Sequence, residues 1–167
     1  GLSNKNHSSI LYKAFYKDIL FHFNNSFSKD YIKNKLFENY GVRSKKFKLK
    51  RTKLSLKKFD DLKINDDICF FKIDVEGLDH LVIYGMKSYI NKHFPVILVE
   101  YNHSNFEKIY KFLKKNYDCF FYDFLKNKLH KLSVSEIDKL KSGKIIEDLF
   151  KKNSVNIFFK KKLTINI

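Results

Sequence analysis

Three acidic residues stand just after apolar runs in the second half of the chain. Asp74 and Glu76 follow the run at residues 68–73, and Glu100 follows the run at residues 96–99. A carboxylate at the end of a buried strand can take a proton from a substrate, orient a hydroxyl group or hold a hard cation. These side chains are the first candidates for chemistry in this sequence.

The segments around these acids alternate between strand and helix patterns. The runs at 68–73 and 96–99 are continuous and apolar, as expected of strands buried on both faces of a parallel sheet. Apolar residues at helical spacing over 78–90 predict a helix between them. Because ligands bind at the carboxyl ends of strands in open α/β sheets, neighbouring strands would bring the acids to one edge.

The rest of the second half continues the alternation. A helical face over 106–117 precedes a strand at 119–122, and a last strand is predicted at 155–159. The predicted fold class is therefore α/β, with a mostly parallel sheet and an antiparallel edge formed by the C-terminal strand. In the first half, a half-exposed strand is predicted at 47–50 and a short helix or turn at 59–62.

Two helix starts carry the spacing of a capping box. Ser104 with Glu107 has this spacing, and Ser133 with Glu136 repeats it. The second helix is predicted to continue past Gly143 towards residues 145–149. The acids at 74 and 76 have an alternative structural interpretation of the same kind, in which one of them caps the helix that starts near residue 78.

Lys72 is a cation inside the first apolar run. An unpaired buried lysine is costly, so it needs a carboxylate partner or a place at a strand edge where its ammonium group reaches water. Asp74 lies two residues on and on the same face, while Glu100 follows the neighbouring run. Lys72 therefore joins the candidate site as the partner of one of these acids.

Histidines and cysteines add little to the predicted site. His103 lies near the proposed edge and is a candidate base, whereas His80 is expected at the surface. No C-x-x-C or H-x-x-x-H spacing is present, so the sequence predicts no metal site. Cys69 and Cys119 both lie in apolar runs and are expected to be buried free thiols, which favours a reducing cytoplasm.

Length and composition favour one domain of 167 residues with a real core. Hydrophobic residues make up 44% of the chain, and no apolar run approaches the length needed to span a bilayer. The chain begins with Gly rather than Met, and we expect it to be truncated upstream. Residues 13–46 are rich in Phe, Tyr, Asn and Lys with weak periodicity, which is typical of an insertion.

The formal net charge of +16 raises a second hypothesis, a basic nucleic-acid-binding module. Residues 42–58 contain nine Lys or Arg and no acid. Arg occurs only twice in the whole chain, however, and dedicated phosphate readers favour its bidentate fork. Solvated surface lysine is therefore the favoured explanation of the charge, and nucleic acid is not the expected partner.

Residues 71–79, FKIDVEGLD, resemble the KIDVEG signature of FkbM-type methyltransferases. The similarity continues through Gly85 and the strand that ends in Glu100, and residues 59–62 resemble the "LDdl" segment of that family. It covers residues 47–125 well and residues 1–12 weakly, while 13–46 look longer than the family norm. The resemblance implies a partial Rossmann-like methyltransferase fold.

By this resemblance the activity is methyl transfer from S-adenosylmethionine, the cofactor, to an oxygen of a sugar, glycolipid or metabolite. Asp74 and Glu100 would lie near the small-molecule or glycan acceptor, with Glu76 structural or orienting and Lys72 paired with one of them. In the related catechol-type enzymes, acids at these strand ends hold Mg²⁺, and Asp74, Glu100 and Asn102 would be the ligands here. The FkbM resemblance itself implies no metal.

The family's glycine-rich loop, "DvGAn-G", does not occur in this sequence. It would lie upstream of Gly1, so the N-terminal cofactor-binding half is expected to be missing. Cofactor binding needs a tight glycine turn that lets the backbone approach the ligand. We therefore expect this chain alone to be inactive. A catalytically silent methyltransferase remnant is a third hypothesis, with the same fold.

Overall fold

The computed structural model describes residues 1–21, 25–40, 47–64, 66–143 and 153–163. These residues form two compact units. Unit 1 contains residue 1 and residues 5–57, and unit 2 contains residues 2–4 and the chain from residue 58 onward. Each unit has its own apolar core. A single domain over residues 1–167 stays a prediction.

In its described residues, unit 1 is a small antiparallel sheet with one helix. Its elements are β1 (His7–Tyr16), β2 (Ile19–Leu20), α1 (Lys29–Tyr40) and β3 (Lys48–Leu56), in the strand order β2-β1-β3. The core is built from Ala14, Ile32 and Leu36. The predicted strand at 47–50 is confirmed as part of the longer β3, because hydrogen bonding to β1 continues to residue 56. That 13–46 form an insertion stays a prediction, although 13–16 lie within β1.

Unit 2 contains a five-stranded sheet and four helices in the described part of the chain. A 3-10 helix (Phe59–Leu62) comes first, and the remaining elements follow in the order β4 (Phe70–Ile73), α2 (Asp79–Tyr84), α3 (Lys87–His93), β5 (Val96–Glu100), α4 (His103–Leu113), β6 (Tyr117–Asp123), β7 (Lys128–Lys131), α5 (Val134–Lys141) and β8 (Asn153–Lys161). The strand order is β4-β5-β8-β6-β7. The α/β alternation predicted from the sequence is confirmed.

The prediction of a mostly parallel sheet is wrong for the described strands. Only β4 and β5 pair in parallel, and the other three pairings are antiparallel. The C-terminal strand is not an edge either, because β8 lies between β5 and β6. Its Ile157 and Phe159 are fully buried, so the last strand completes the middle of the core. The antiparallel edge of the described sheet is β7, which returns from β6 as a hairpin that the sequence analysis missed, and the other edge is β4.

The core of unit 2 lies on one face of this sheet. Alternate residues of β5 and β8 point into it, and helices α2 to α5 supply the opposing apolar side chains. Its main members are Ile73, Val82, Ile83, Ile97, Val99, Phe106, Ile109, Leu113, Leu140, Ile157 and Phe159. The opposite face is partly exposed, since Val96 and Leu98 are only half-buried. The sheet therefore has one buried face and one partly exposed face. Residues two apart on a strand point to the same face.

Local signals set the helix ends with mixed success. The capping box of Ser133 and Glu136 is confirmed at the start of α5. The box at 104–107 is wrong: Asn102 caps α4 by accepting from the Ser104 amide at 3.0 Å. The helix predicted over 78–90 is divided into α2 and α3 around Gly85, where a Cβ would come within 2.1 Å of a backbone oxygen. Residues 145–149 lie outside the described residues.

The two cysteines differ. Cys119 is buried on β6, where burial raises the pKa of its thiol, but Cys69 is exposed just before β4. The expectation that both are buried is therefore wrong for Cys69, because the residues that lead into this edge strand are largely uncovered. In the ranges that the structure describes, no helix has the length and apolarity to cross a membrane.

Candidate functional site

The carboxyl ends of β4 and β5 meet at one edge of the unit 2 sheet. The strands are parallel neighbours, and Ile73 pairs with Val99. The next residue on each strand is an acid, Asp74 on one and Glu100 on the other. The neighbouring position that the sequence analysis required of these two strands is thus confirmed. We call Lys72, Asp74 and Glu100 the acidic edge.

Lys72 pairs with Asp74 at this edge. The ammonium nitrogen donates to Oδ2 of Asp74 at 2.7 Å, and the two side chains are 55% and 40% exposed. The apolar run suggested that Lys72 lies in a buried strand, but the lysine is exposed. β4 is an edge strand among the described strands, and its face at residue 72 is open to water. The ion pair is the partner arrangement that the sequence analysis expected.

The Lys72 ammonium also experiences the charge of Glu100. The hydrogen bond from Lys72 to Asp74 raises the pKa of the lysine, the charge of Asp74 raises it further, and Glu100 adds a smaller contribution in the same direction. Lys72 pairs with Leu98 in the strand register, so Glu100 lies two residues further on the same face. Both carboxylates thus act on one ammonium group.

The turn after β4 has an unusual backbone. Glu76 has φ of 51° and Gly77 has φ of 88°, so two consecutive residues are left-handed. Gly77 adopts this conformation without steric cost, whereas a residue with a Cβ is strained there. Glu76 is exposed on this turn. The chain therefore bends sharply after Asp74, and the bend needs support from other residues.

Two buried polar side chains support this turn. Oδ1 of Asp79 accepts from the Val75 amide at 3.2 Å, and the Asn105 amide group donates to the carbonyl oxygen of Gly77. Asp79 and Asn105 are each only 3% exposed. Burial raises the pKa of Asp79, and its backbone hydrogen bonds partly oppose that shift. The backbone that follows Asp74 is thus held by one side chain from α2 and one from α4.

Sequence reasoning missed the role of both supporting residues. Asp79 was noted only as part of the family signature, and Asn105 was not noted at all. A usable signal existed for Asn105, because it lies four residues before Ile109 and so falls on the apolar face of α4. Leu78 stands at the N-cap of α2 and makes no side-chain capping bond there. The carboxylate that bonds the turn backbone is Asp79.

Two histidines, His80 and His103, lie on helices α2 and α4 of unit 2. His103 is the first residue of α4, and its ring lies against Gly143, where an added Cβ would come within 2.9 Å of it. His80 is half-buried rather than at the surface. Burial and the nearby Lys108 lower its pKa. Its position on α2, which packs on the core, explains the difference from the sequence expectation.

The described residues offer no fit for a bound cofactor through a glycine turn. A Cβ at Gly77 would lie 3.6 Å from Asn105, one at Gly85 would collide with Ser3, and one at Gly143 would meet a histidine ring. Gly85 and Gly143 are thus crowded by protein atoms, and Gly77 has its nearest neighbours in two asparagine side chains at ordinary contact distance. Within the same described ranges, no three His, Cys, Asp or Glu side chains cluster in a way that would hold a metal ion.

Comparison with known families gives one match. The family model described as "Methyltransferase FkbM domain" matches residues 5–121. The matched range contains nearly all of unit 1 and the part of unit 2 up to residue 121, with the acidic edge and the turn that follows β4, but not β7, α5 or β8. No curated protein and no solved structure matches the chain.

Proposed function

We propose that this chain, which belongs to the FkbM methyltransferase family, serves the acceptor side of an O-methyl transfer. Family membership indicates methyl transfer in general. The finer proposal is that S-adenosylmethionine is the donor and that the acceptor is a hydroxyl group of a sugar, glycolipid or metabolite. The acceptor would lie at the acidic edge.

The roles of the acidic edge follow from its contacts. Asp74 already accepts a hydrogen bond from Lys72, whereas the exposed carboxylate of Glu100 accepts no side-chain hydrogen bond within the described residues. Glu100 is therefore the proposed proton acceptor for the acceptor hydroxyl, and the ion pair of Lys72 with Asp74 orients that hydroxyl. Glu76, exposed on the left-handed turn, is proposed to position the acceptor.

One observation carries this proposal. The parallel register of β4 and β5 puts Asp74 and Glu100 side by side at the carboxyl ends of two strands, where ligands bind in α/β sheets. The pairing of Lys72 with Asp74 adds a cation that limits the repulsion between the two acids. Such a group of charges suits the positioning of a polar hydroxyl better than the binding of an apolar ligand.

We also propose that the glycine-rich turn for the donor lies upstream of Gly1. The support is that the family signature is present while the described glycines face protein. Sequencing upstream of Gly1 tests this proposal. A strand followed by Asp-x-Gly-x-x-x-Gly supports it. An upstream stop codon without that motif favours the silent-remnant hypothesis instead.

The functional test uses the protein extended to include that turn. Transfer of a labelled methyl group to a panel of sugars and glycolipids is measured for the parent and for Glu100→Gln. Loss of a positioned proton acceptor should lower the rate by about 10²-fold to 10⁴-fold. Asp74→Asn should lower it as well, because Lys72 then loses its partner.

Asp118→Asn is the matched control. Asp118 accepts from Lys131 at 2.7 Å, the same kind of ion pair on the same sheet. It lies at the start of β6, which runs in the same direction as β5, so it belongs to the opposite edge. The control should keep the parent rate. Full turnover in both Glu100→Gln and Asp74→Asn contradicts the proposed site.

A further inference from the structure

One face of the unit 1 sheet is covered at one end and open at the other. Ala14 and Leu49 pair across β1 and β3 and pack under α1. Further along the same face Ile10 pairs with Lys53, and Arg51 lies two residues from Lys53. This open end is a cleft of about 500 Å³, lined by Ser8, Ser9, Ile10, Arg51 and Lys53. We call it the cationic cleft.

The cations of β3 divide between the two faces of the strand. On the face away from the cleft, Lys48 lies 4.0 Å from Asp18 and Lys50 lies over the Phe15 ring at 4.5 Å. On the cleft face, neither Arg51 nor Lys53 has a carboxylate partner in the part of the chain that the structure describes. Among the described residues, the cleft therefore holds two positive charges without a neighbouring acid to neutralise them.

We propose that the cationic cleft binds the phosphate group of a small phosphate monoester. Arg51 offers the planar fork of donors that matches phosphate oxygens, and Lys53 adds a point charge. Two positive charges balance a phosphate dianion, and the hydroxyl of Ser8 can donate a further hydrogen bond. Ile10 supplies an apolar wall for the carbon skeleton of the ligand.

Size and position support a small ligand over a polyanion. The volume of the cleft falls within the range of small-molecule sites. A polyanion would use exposed cations on both faces of β3, whereas the cleft collects only those on one face. This inference concerns unit 1 and does not depend on the methyl-transfer proposal for the acidic edge.

The test is a titration of the chain at low salt with glucose 6-phosphate and, separately, with inorganic phosphate. Binding is monitored through the NMR chemical shifts of the backbone amides. Saturable shifts at residues 8–10 and 51–53 are expected, and glucose itself should cause none. The double variant Arg51→Gln with Lys53→Gln should weaken binding about tenfold or more, because charge-assisted hydrogen bonds are the strong class. Both residues are exposed, so unchanged thermal unfolding will show that the variant folds.

The double variant Lys48→Gln with Lys50→Gln is the matched control. It removes the same charge from the same strand but from the opposite face, and it should bind glucose 6-phosphate as the parent does. If both double variants weaken glucose 6-phosphate binding equally, the proposal is overturned in favour of a diffuse polyanion surface. The same holds if an oligothymidylate binds more tightly than glucose 6-phosphate and both double variants weaken its binding equally. Shifts only with vesicles containing phosphatidic acid, or no saturable shifts, also overturn the proposal.

Discussion

The acidic edge and the cationic cleft differ in what lies beneath their charged groups. At the acidic edge, the turn after Asp74 is bonded by the buried side chains of Asp79 and Asn105. In the cationic cleft, Arg51 and Lys53 stand on an exposed stretch of β3, and the core lies under the other end of the face. Geometry at the first site is held by buried polar contacts, whereas the second relies on a regular strand pairing.

This difference suits two kinds of chemistry. A proton acceptor must be held within hydrogen-bond reach of the group that it serves, so a fixed backbone below it is useful. Long cationic side chains can adjust to an anion, so they need only to lie on the same face of the strand at a suitable distance from each other. The comparison therefore predicts that changes below the acidic edge cost stability, while changes in the cleft do not.

The largest expected effect on the free energy of unfolding is that of a substitution at Asn105. Asn105→Ala leaves the Gly77 carbonyl without its buried donor, so the free energy of unfolding should fall by about 1–3 kcal/mol. Arg51→Gln in the cleft should change it by less than about 0.5 kcal/mol, as for other exposed sites. Urea unfolding of both variants measures the contrast. Equal, small effects would remove the distinction between the two regions.

A smaller effect is expected at the left-handed turn. Gly77→Ala places a Cβ on a backbone with φ of 88°, which should cost about 1–2 kcal/mol. Glu76→Gly should act in the opposite direction, since it relieves the strain of a φ of 51°. Thermal unfolding of the two variants checks the signs. A stabilising Gly77→Ala would show that the turn differs from the one described.

The smallest expected effect on stability is the pH dependence from Asp79. Its pKa in the folded chain is raised above the ordinary value of 3.8, so the folded state holds this proton more tightly than the unfolded state. The parent should therefore lose stability relative to Asp79→Asn as pH rises from below 3.8 through the raised pKa. Urea unfolding across this pH range measures the difference. A constant difference, or one of opposite slope, contradicts the raised pKa.

The sequence predicted those parts of the fold that depend on local periodicity. The apolar runs at 68–73 and 96–99 became neighbouring parallel strands, and the capping box at Ser133 formed as expected. Strand order was not predictable in the same way. The position of β8 between β5 and β6 depends on distant pairing, and no local pattern at residues 153–161 specifies its partner.

The sequence predicted the charged residues of the acidic edge but not the buried residues that support them. The sequence predicted Lys72, Asp74 and Glu100 at one edge on the condition that the two strands are neighbours, and the parallel pairing of β4 and β5 meets that condition. Lys72 has both the carboxylate partner and the edge position that the sequence analysis offered, whereas the burial of its strand on both faces was mispredicted, since an apolar run alone does not show whether a strand is central or at an edge. Asn105 was missed because its partner, Gly77, lies 28 residues away in the chain.

The central claim is that two carboxylates from neighbouring strands converge on one ammonium group. Titration of the Lys72 ammonium by NMR tests it directly. Asp74→Asn should lower the pKa of Lys72 most, because it removes the hydrogen bond and the nearest charge, and Glu100→Gln should lower it less. Asp118→Asn should leave it unchanged. If Glu100→Gln also leaves the Lys72 pKa unchanged, the two acids do not share an edge and the proposed site is wrong.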